Sequence, residues 1–306
     1  MIEAYFKALR DDSFQKITDY RPGCWLHIDK ANLEDLQKVE ELTGLSINDI
    51  TDSLDLYEIP RIEQIDNNIL IFVRYPSEEL SDMHTALLTI ILTPTYLITI
   101  SPQESLLVDT IIHSRIKLTT TQKSKLLFYI LLRITHDFTQ RIKRVRASVI
   151  EQEKKVKNIS NQTIVTLTQN EEILNQFLSA LVPLRNVLEA MSSGRYVIVY
   201  EKDQDLLEDL LIAMKQSEDL CRVNIRSIRS LRDAYQIFFT NDVNKTIKLL
   251  TAITIIFTIP TIIASIYGMN VSLPLEKNPY AFLIIMNITV IISIICLVIF
   301  IRKRWI

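Results

Sequence analysis

Nineteen consecutive residues, 249–267, carry no charge, and as a helix rising 1.5 Å per residue they span roughly 28 Å, close to the thickness of a bilayer's hydrocarbon core. A second apolar stretch, 281–301, reaches roughly 31 Å by the same measure. Between them lies VSLPLEKNPY, too short and too rich in Pro and polar residues to be anything but a connecting loop. These runs predict a hairpin of two membrane helices. Lys245 and Lys248 precede the first span and Arg302-Lys303-Arg304 follow the second, whereas the loop carries only Lys277 beside Glu276. The positive-inside rule therefore places both ends in the cytoplasm and the loop outside.

Within the first span, Thr251, Thr254, Thr258, Thr261 and Ser265 recur at alternating spacings of three and four, which is one stripe of a helix. The register extends down through Ile247 to Asn244 and up to Gly268, Met269 and Asn270; the other faces are Ile, Leu, Phe and Ala. Two readings of the stripe stand open. Small hydroxyl residues let membrane helices pack, with each hydroxyl bonded to a carbonyl one turn earlier. Alternatively, several copies stand in parallel around an axis with their stripes facing a water-filled path.

The quartet Tyr267-Gly268-Met269-Asn270 favours the second reading. At the end of the penultimate membrane helix, ahead of a short loop and one last helix, it resembles the signature of the CorA family of divalent-cation channels. That resemblance implies a funnel-shaped homopentamer for passive Mg²⁺ uptake, with Gly268, Met269 and Asn270 as the outer selectivity filter. It further implies a pore lined by Asn244, Ile247, Leu250, Thr251, Thr254, Thr258, Thr261 and Ser265, in which Ile247 and Leu250 form an apolar constriction. Co²⁺, Ni²⁺ and Zn²⁺ are alternative cargoes within the family. The resemblance also implies closure by Mg²⁺ bound between neighbouring cytosolic domains. Counted back from the signature, Asp209 falls at the family's acidic sensor position, with Glu78, Glu79 and Asp82 as candidate partners. A solvated helix face accounts for Asp203, Asp205, Glu208 and Asp209 equally well. Two departures from the family pattern stand out. The loop reads Leu273-Pro274-Leu275-Glu276, which displaces the outer acid Glu276 by one position, and Ser265 occupies a place where glycine is common.

Composition removes other classes. Thirty-four Lys and Arg face 36 Asp and Glu, so nothing in the net charge recommends nucleic acid as a partner. The four glycines, Gly23, Gly44, Gly194 and Gly268, build no phosphate-cradling loop. The cysteines Cys24, Cys221 and Cys296 lack paired metal-ligand spacing and read as buried thiols. His27, His84, His113 and His136 fit no ligand or nucleophile motif. No enzymatic role is expected. The N-terminus has no apolar core of signal-peptide length, and a multi-pass cell (inner) membrane protein is the expected location.

Ahead of the membrane spans, short apolar runs alternate with charged segments, as in a mixed α/β domain. Strands are expected at Trp25–Ile28, Arg61–Ile65, 69–75, 86–92 and 96–100, with a hairpin at Asn67-Asn68. Helical sequence follows Asp29, a candidate cap, and a second short turn follows Ser46 or Asn48. The run 54–63, LDLYEIPRIE, is similar to the acidic Pro-Arg approach to a strand in the same family. Long helices are expected at 124–159, at 163–191 and from Asp203 or Asp205 to Tyr267, the last on the order of 100 Å. Leu207, Leu211, Met214, Cys221, Ile225, Ile228, Tyr235 and Phe239 mark its packed stripe. The expected fold class is an α+β cytosolic domain, a mixed sheet flanked by helices, followed by long stalk helices and a C-terminal transmembrane hairpin. By residue this gives a cytosolic α/β domain over 1–120, a long-helix hairpin over 121–202, a stalk over 203–248, a pore helix over 249–270, a loop over 271–280, a second span over 281–301 and a basic end over 302–306. A protein of another class, in which the hairpin only anchors and oligomerises a sensor, remains the contrasting expectation.

Overall fold

The computed structural model describes residues 2–77, 83–114, 118–154, 161–196, 201–275 and 278–305. The chain divides into two compact units, Met1–Ser230 and Leu231–Ile306.

In the first unit β1 (Ile2–Phe6), β2 (Gln15–Ile17), β3 (Trp25–Ile28), β4 (Arg61–Ile65), β5 (Asn68–Pro76), β6 (Thr85–Leu92) and β7 (Leu97–Ile100) form a sheet in the order β2-β1-β3-β7-β6-β5-β4. β3 and β7 run parallel, and the other described pairs are antiparallel. The apolar runs of β5 and β6 are buried almost end to end, as strands covered on both faces must be. On one face, Leu36 and Val39 of α1 (Leu33–Thr43) and Ile50 of α2 (Ile47–Ile50) pack with Leu26, Ile28, Leu70, Phe72 and Ile98. Ile71 and Val73 alternate to the opposite face and are fully buried. There β5 meets α4 (Lys123–Lys154) and α5 (Asn161–Ser192).

Local chemistry shifts some expected boundaries. Ile65 pairs with Asn68, so the hairpin turn is Asp66-Asn67, with Asp66 at φ 52, rather than Asn67-Asn68. Asn32, not Asp29, caps α1 by accepting from the Asp35 amide. The Asp29 carboxylate accepts instead from the Ser105 amide at 2.9 Å, ahead of α3 (Leu106–Ile112), and so ties two connections together. β1 and β2 had no sequence signal because both are short and only partly buried, with β2 at the sheet edge.

The third long helix, α6, runs over Glu201–Tyr267. Within the first unit its buried stripe comprises Leu207, Leu210, Met214, Cys221, Ile225 and Ile228. Leu210 takes the place expected of Leu211, which is half-buried. Glu171 of α5 accepts from Arg229 at 2.7 Å, and Arg185 of α5 donates to Glu218 at 2.9 Å. The Cys221 thiol donates to the Leu174 carbonyl, and Thr139 and Ser217 share a hydrogen bond of 2.6 Å between α4 and α6. The long helices are thus registered by polar clasps as well as by apolar burial.

The second unit comprises the remainder of α6 and α7 (Ala281–Arg302). Tyr235 is buried, but Phe239 is exposed, which ends the packed stripe earlier than its spacing predicts. Both helices are long and apolar enough to cross a membrane. Each of their many exposed Ile, Leu, Val and Phe side chains would forfeit about 1.5–3 kcal/mol if left in water. A bilayer is the solvent that removes this cost.

Candidate functional site

The site is built on the membrane part of α6, where two opposite faces have different surroundings. Ala252 is completely buried and Ile256, Ile259, Pro260 and Ile263 are half-buried. Ile256 and Pro260 line an apolar cavity of about 260 Å³ with Thr289, Ser293 and Leu297 of α7. This is the face that packs within the hairpin. Thr289 and Ser293 stand on the α7 side of that cavity.

At about 100° per residue, the hydroxyl stripe points about 150° away from Ala252, Ile256, Ile259 and Ile263. Asn244, Thr251, Thr254, Thr258, Thr261 and Ser265 are all exposed, as are Ile247 at 55% and Leu250 at 64%. No helix of the hairpin's own unit covers this face among the described residues. Packing between the two spans therefore does not account for the stripe.

The threonine hydroxyls donate to carbonyls one turn earlier. Thr251 bonds to Ile247, Thr254 to Leu250, Thr258 to Thr254 and Thr261 to Phe257, at 2.7–2.9 Å. Each donor is spent inside its own helix. What remains for any occupant of that face is the acceptor capacity of the oxygen.

The helix closes with Gly268 donating to the Ala264 carbonyl at 2.9 Å and Met269 to Ile266 at 3.2 Å. Gly268 is absent from the positive-φ glycines, so it is not a left-handed helix cap. A Cβ there would meet the Ala264 and Ser265 carbonyl oxygens at 3.3 and 3.5 Å, crowded but close to tolerable. The backbone conformation alone does not demand glycine. Met269 and Asn270 are exposed, and among the described residues the Asn270 carboxamide has no hydrogen-bond partner. In the following loop the Tyr267 hydroxyl lies 3.5 Å from the Pro274 carbonyl, and Leu275 adopts φ 74. Glu276 lies outside the described residues.

The candidate sensor residues separate. Asp209 is exposed on α6 and has no ion-pair or hydrogen-bond partner among the described residues, whereas Asp203 is buried. Glu78, Glu79 and Asp82 lie outside the described residues. Among those described, no group of three or more His, Cys, Asp or Glu side chains is placed to hold a metal ion.

The acidic Pro-Arg run has a structural task. Arg61 bonds to Glu58, to Asp52 at 2.6 Å and to Glu63 at 2.7 Å, while its guanidinium lies 4.0 Å from the Phe72 ring centroid. Buried Arg74 donates to the carbonyls of Leu56, Glu58 and Thr85 and to the Thr85 hydroxyl. Together they clamp the segment 52–63 to β4 and β5. Sequence reading passed over Arg74 because a single arginine in an apolar strand gives no hint of its partners. His27 is also buried, with Nδ1 3.0 Å from the Thr99 hydroxyl, and burial lowers its pKa to about 4. It is neutral near pH 7.

The model of the family described as CorA-like Mg2+ transporter protein matches residues 22–303. The cobalt/magnesium transport protein CorA of Methanocaldococcus jannaschii is 28% identical over 94% of this chain and 92% of its own length. The protein of the same description from Thermotoga maritima is 21% identical over 98% of this chain and 88% of its own. The complete structure of the CorA magnesium transporter from M. jannaschii superimposes with a TM-score of 0.83 at 26% identity, covering 100% of this chain and 99% of that one.

Proposed function

The chain belongs to the CorA-like Mg2+ transporter protein family, and on that premise we propose that it is a passive, potential-driven Mg²⁺ channel. Several copies, five by family resemblance, stand with their α6 stripes around a common axis. The observation that carries this reading is the exposed hydroxyl face opposite the α7 contact, continuous from Asn244 to Ser265 and ending at the Gly268-Met269-Asn270 turn.

Mg²⁺ surrenders its waters reluctantly, so a path that leaves the hydration shell in place avoids the largest cost. The outward hydrogens of that shell need acceptors. Threonine oxygens whose donors are already spent supply them, as do the Asn270 amide and the last carbonyls of α6. Each helix C-terminus also presents about half a negative charge, which concentrates cations at the outer mouth. Uncharged oxygen rings bind weakly enough for the ion to leave. Below them, the exposed Ile247 and Leu250 make an apolar ring that gates by excluding water, with Asn244 beneath it.

Closure by internal Mg²⁺ bound at Asp209 between neighbouring copies is part of the proposal. It fits an exposed carboxylate without a partner among the described residues. The protein sits in the cell membrane with both termini cytoplasmic, an orientation supported by the basic flanks. The M. jannaschii relative is a cobalt/magnesium transport protein, which adds cobalt to the candidate cargo, and hydrated Co²⁺ would meet the same neutral acceptors.

The test is Mg²⁺ flux into proteoliposomes for Asn270→Ala. Loss of flux with the oligomer intact is the expected result, and wild-type flux would overturn the assignment. Competition between Co²⁺ and Mg²⁺ in the same assay ranks the two ions.

A further inference from the structure

The C-terminal end of α7 is a built turn rather than a frayed helix. Lys303 donates to Ile299, Arg304 to Ile301 and Trp305 to Phe300, at 3.0, 3.0 and 2.9 Å. Arg304 adopts the left-handed conformation, with φ 55. This is the bond pattern of a Schellman cap, whose usual companion is an apolar contact across the turn. Trp305 provides that contact by stacking on Phe300, with ring centroids 5.4 Å apart and planes 15° apart. Glycine fills the left-handed position without steric cost. An arginine there gives up that advantage and gains a charge.

That charge is one of three. Arg302, Lys303 and Arg304 are exposed, and among the described residues none has an ion-pair partner. They follow directly on the apolar length of α7, at the level where hydrocarbon gives way to headgroups. The amphipathic ring of Trp305 suits the same level. The stacked turn thus presents three exposed cations from a defined backbone where phosphate groups are dense.

We propose that the turn of Arg302, Lys303, Arg304 and Trp305 is a binding site for anionic phospholipid headgroups. The guanidinium and ammonium groups take phosphate oxygens, and the stacked indole fixes the turn at the interface. A cation beside an anionic membrane surface contributes about a fivefold preference. The site should therefore favour an anionic over a zwitterionic lipid by between about fivefold, with one cation engaged, and on the order of 100-fold with all three.

The full-length protein can report this itself. Its two tryptophans are Trp25, fully buried in the sheet core, and Trp305. Fluorescence quenching is measured in vesicles containing brominated phosphatidylglycerol or brominated phosphatidylcholine at equal mole fraction, with Trp25 as a constant background. Trp305 is expected to prefer the anionic quencher at least fivefold, with the preference shrinking as salt rises. Arg304→Gly keeps or strengthens the turn while removing one charge, so it should lower the ratio without loss of folding. Combined Arg302→Gln, Lys303→Gln and Arg304→Gly should bring the ratio to about one. A ratio of one in the unaltered protein, as when carboxylates of a second copy occupy the cations, would overturn the proposal. So would an unchanged ratio in the triple variant, or an unchanged ratio in Arg304→Gly.

Discussion

Substitutions on opposite faces of α6 separate a conduit from a packing surface. Thr254→Val and Thr258→Val exchange a hydroxyl for a methyl at nearly constant shape on the exposed face. In the single chain each removes only a bond to a carbonyl of its own helix, at 2.9 and 2.7 Å. Even side-chain hydrogen bonds between membrane helices average only about 0.6 kcal/mol, so losing these bonds within one helix should change hairpin stability little. Flux should change far more. If the hydrated ion loses one hydroxyl acceptor from each of two copies, at about 1 kcal/mol per bond, its barrier rises by about 2 kcal/mol, which is roughly a thirtyfold loss of rate. Ala252→Leu is the converse. Ala252 is fully buried, and overpacking there should cost about 1–3 kcal/mol, read as a lower melting temperature of the detergent-solubilised oligomer. The assays are stopped-flow Mg²⁺ uptake into proteoliposomes and thermal size-exclusion profiles on the same preparations. A Thr254→Val, Thr258→Val double variant that melts and conducts like the unaltered protein would refute the conduit argument. One that loses its oligomer with its flux would move the stripe to the packing reading.

Other consequences follow from single sites. Gly268→Ala should leave the oligomer intact, because the backbone is not left-handed and the added Cβ meets its nearest carbonyl oxygen at 3.3 Å; Mg²⁺ uptake should nevertheless fall at least tenfold if close approach of the copies at that ring sets the passage. Because burial lowers the folded-state pKa of His27 to about 4 from the ordinary value of 6.5, the unfolded chain binds the extra proton first, and the stability contributed by this site is complete above pH 6.5 and lost as pH falls toward 4. The loss is up to about 3 kcal/mol, and denaturant melts across that window should show a slope that His27→Gln flattens. Asp209→Asn should weaken inhibition of uptake by internal Mg²⁺ severalfold; an unchanged inhibition curve would remove Asp209 from the sensor.

The helical elements were legible where one periodicity persisted long enough to exclude others. The uncharged run 249–267 and the hydroxyl spacing within it define both the helix and its polar face, and the spacing of Leu207, Met214, Cys221 and Ile228 defines a buried stripe that the structure retains. The misses occur where several local options are close in energy. Asp29 and Asn32 are both good caps, and the choice fell to Asn32 because the Asp29 carboxylate is drawn to the Ser105 amide, 76 residues away along the chain. β1 depends on partners on both sides that no local pattern announces. Arg74 likewise acquires meaning only from carbonyls at Leu56 and Glu58. At the candidate site the face and its residues could be read, but the direction it looks could not. Sequence gives the angle between positions on α6; which angle is occupied by α7 is settled by Ile256 and Pro260, which face Thr289, Ser293 and Leu297 of the second span across a shared cavity.

The residue type on that face reconciles two environments that the chain must pass through. A membrane helix is inserted before it assembles, and a polar group left unsatisfied in hydrocarbon costs several kcal/mol. A carboxamide carries two donor hydrogens, more than the carbonyl one turn back ordinarily takes up, so asparagine at mid-membrane would be expensive on an unassembled hairpin. Threonine has one, and all four threonines of the stripe place it on their own backbone. These threonines can then sit in lipid without an orphaned donor and still present oxygen lone pairs when copies gather around water. This explains why the asparagines of the face, Asn244 and Asn270, stand at its two ends, where water or headgroups are within reach, and why hydroxyls occupy the length between them. Replacing mid-span Thr258 by Asn should therefore lower insertion efficiency before it alters conduction, whereas Thr258→Ser, which keeps the single back-bonded donor, should insert normally.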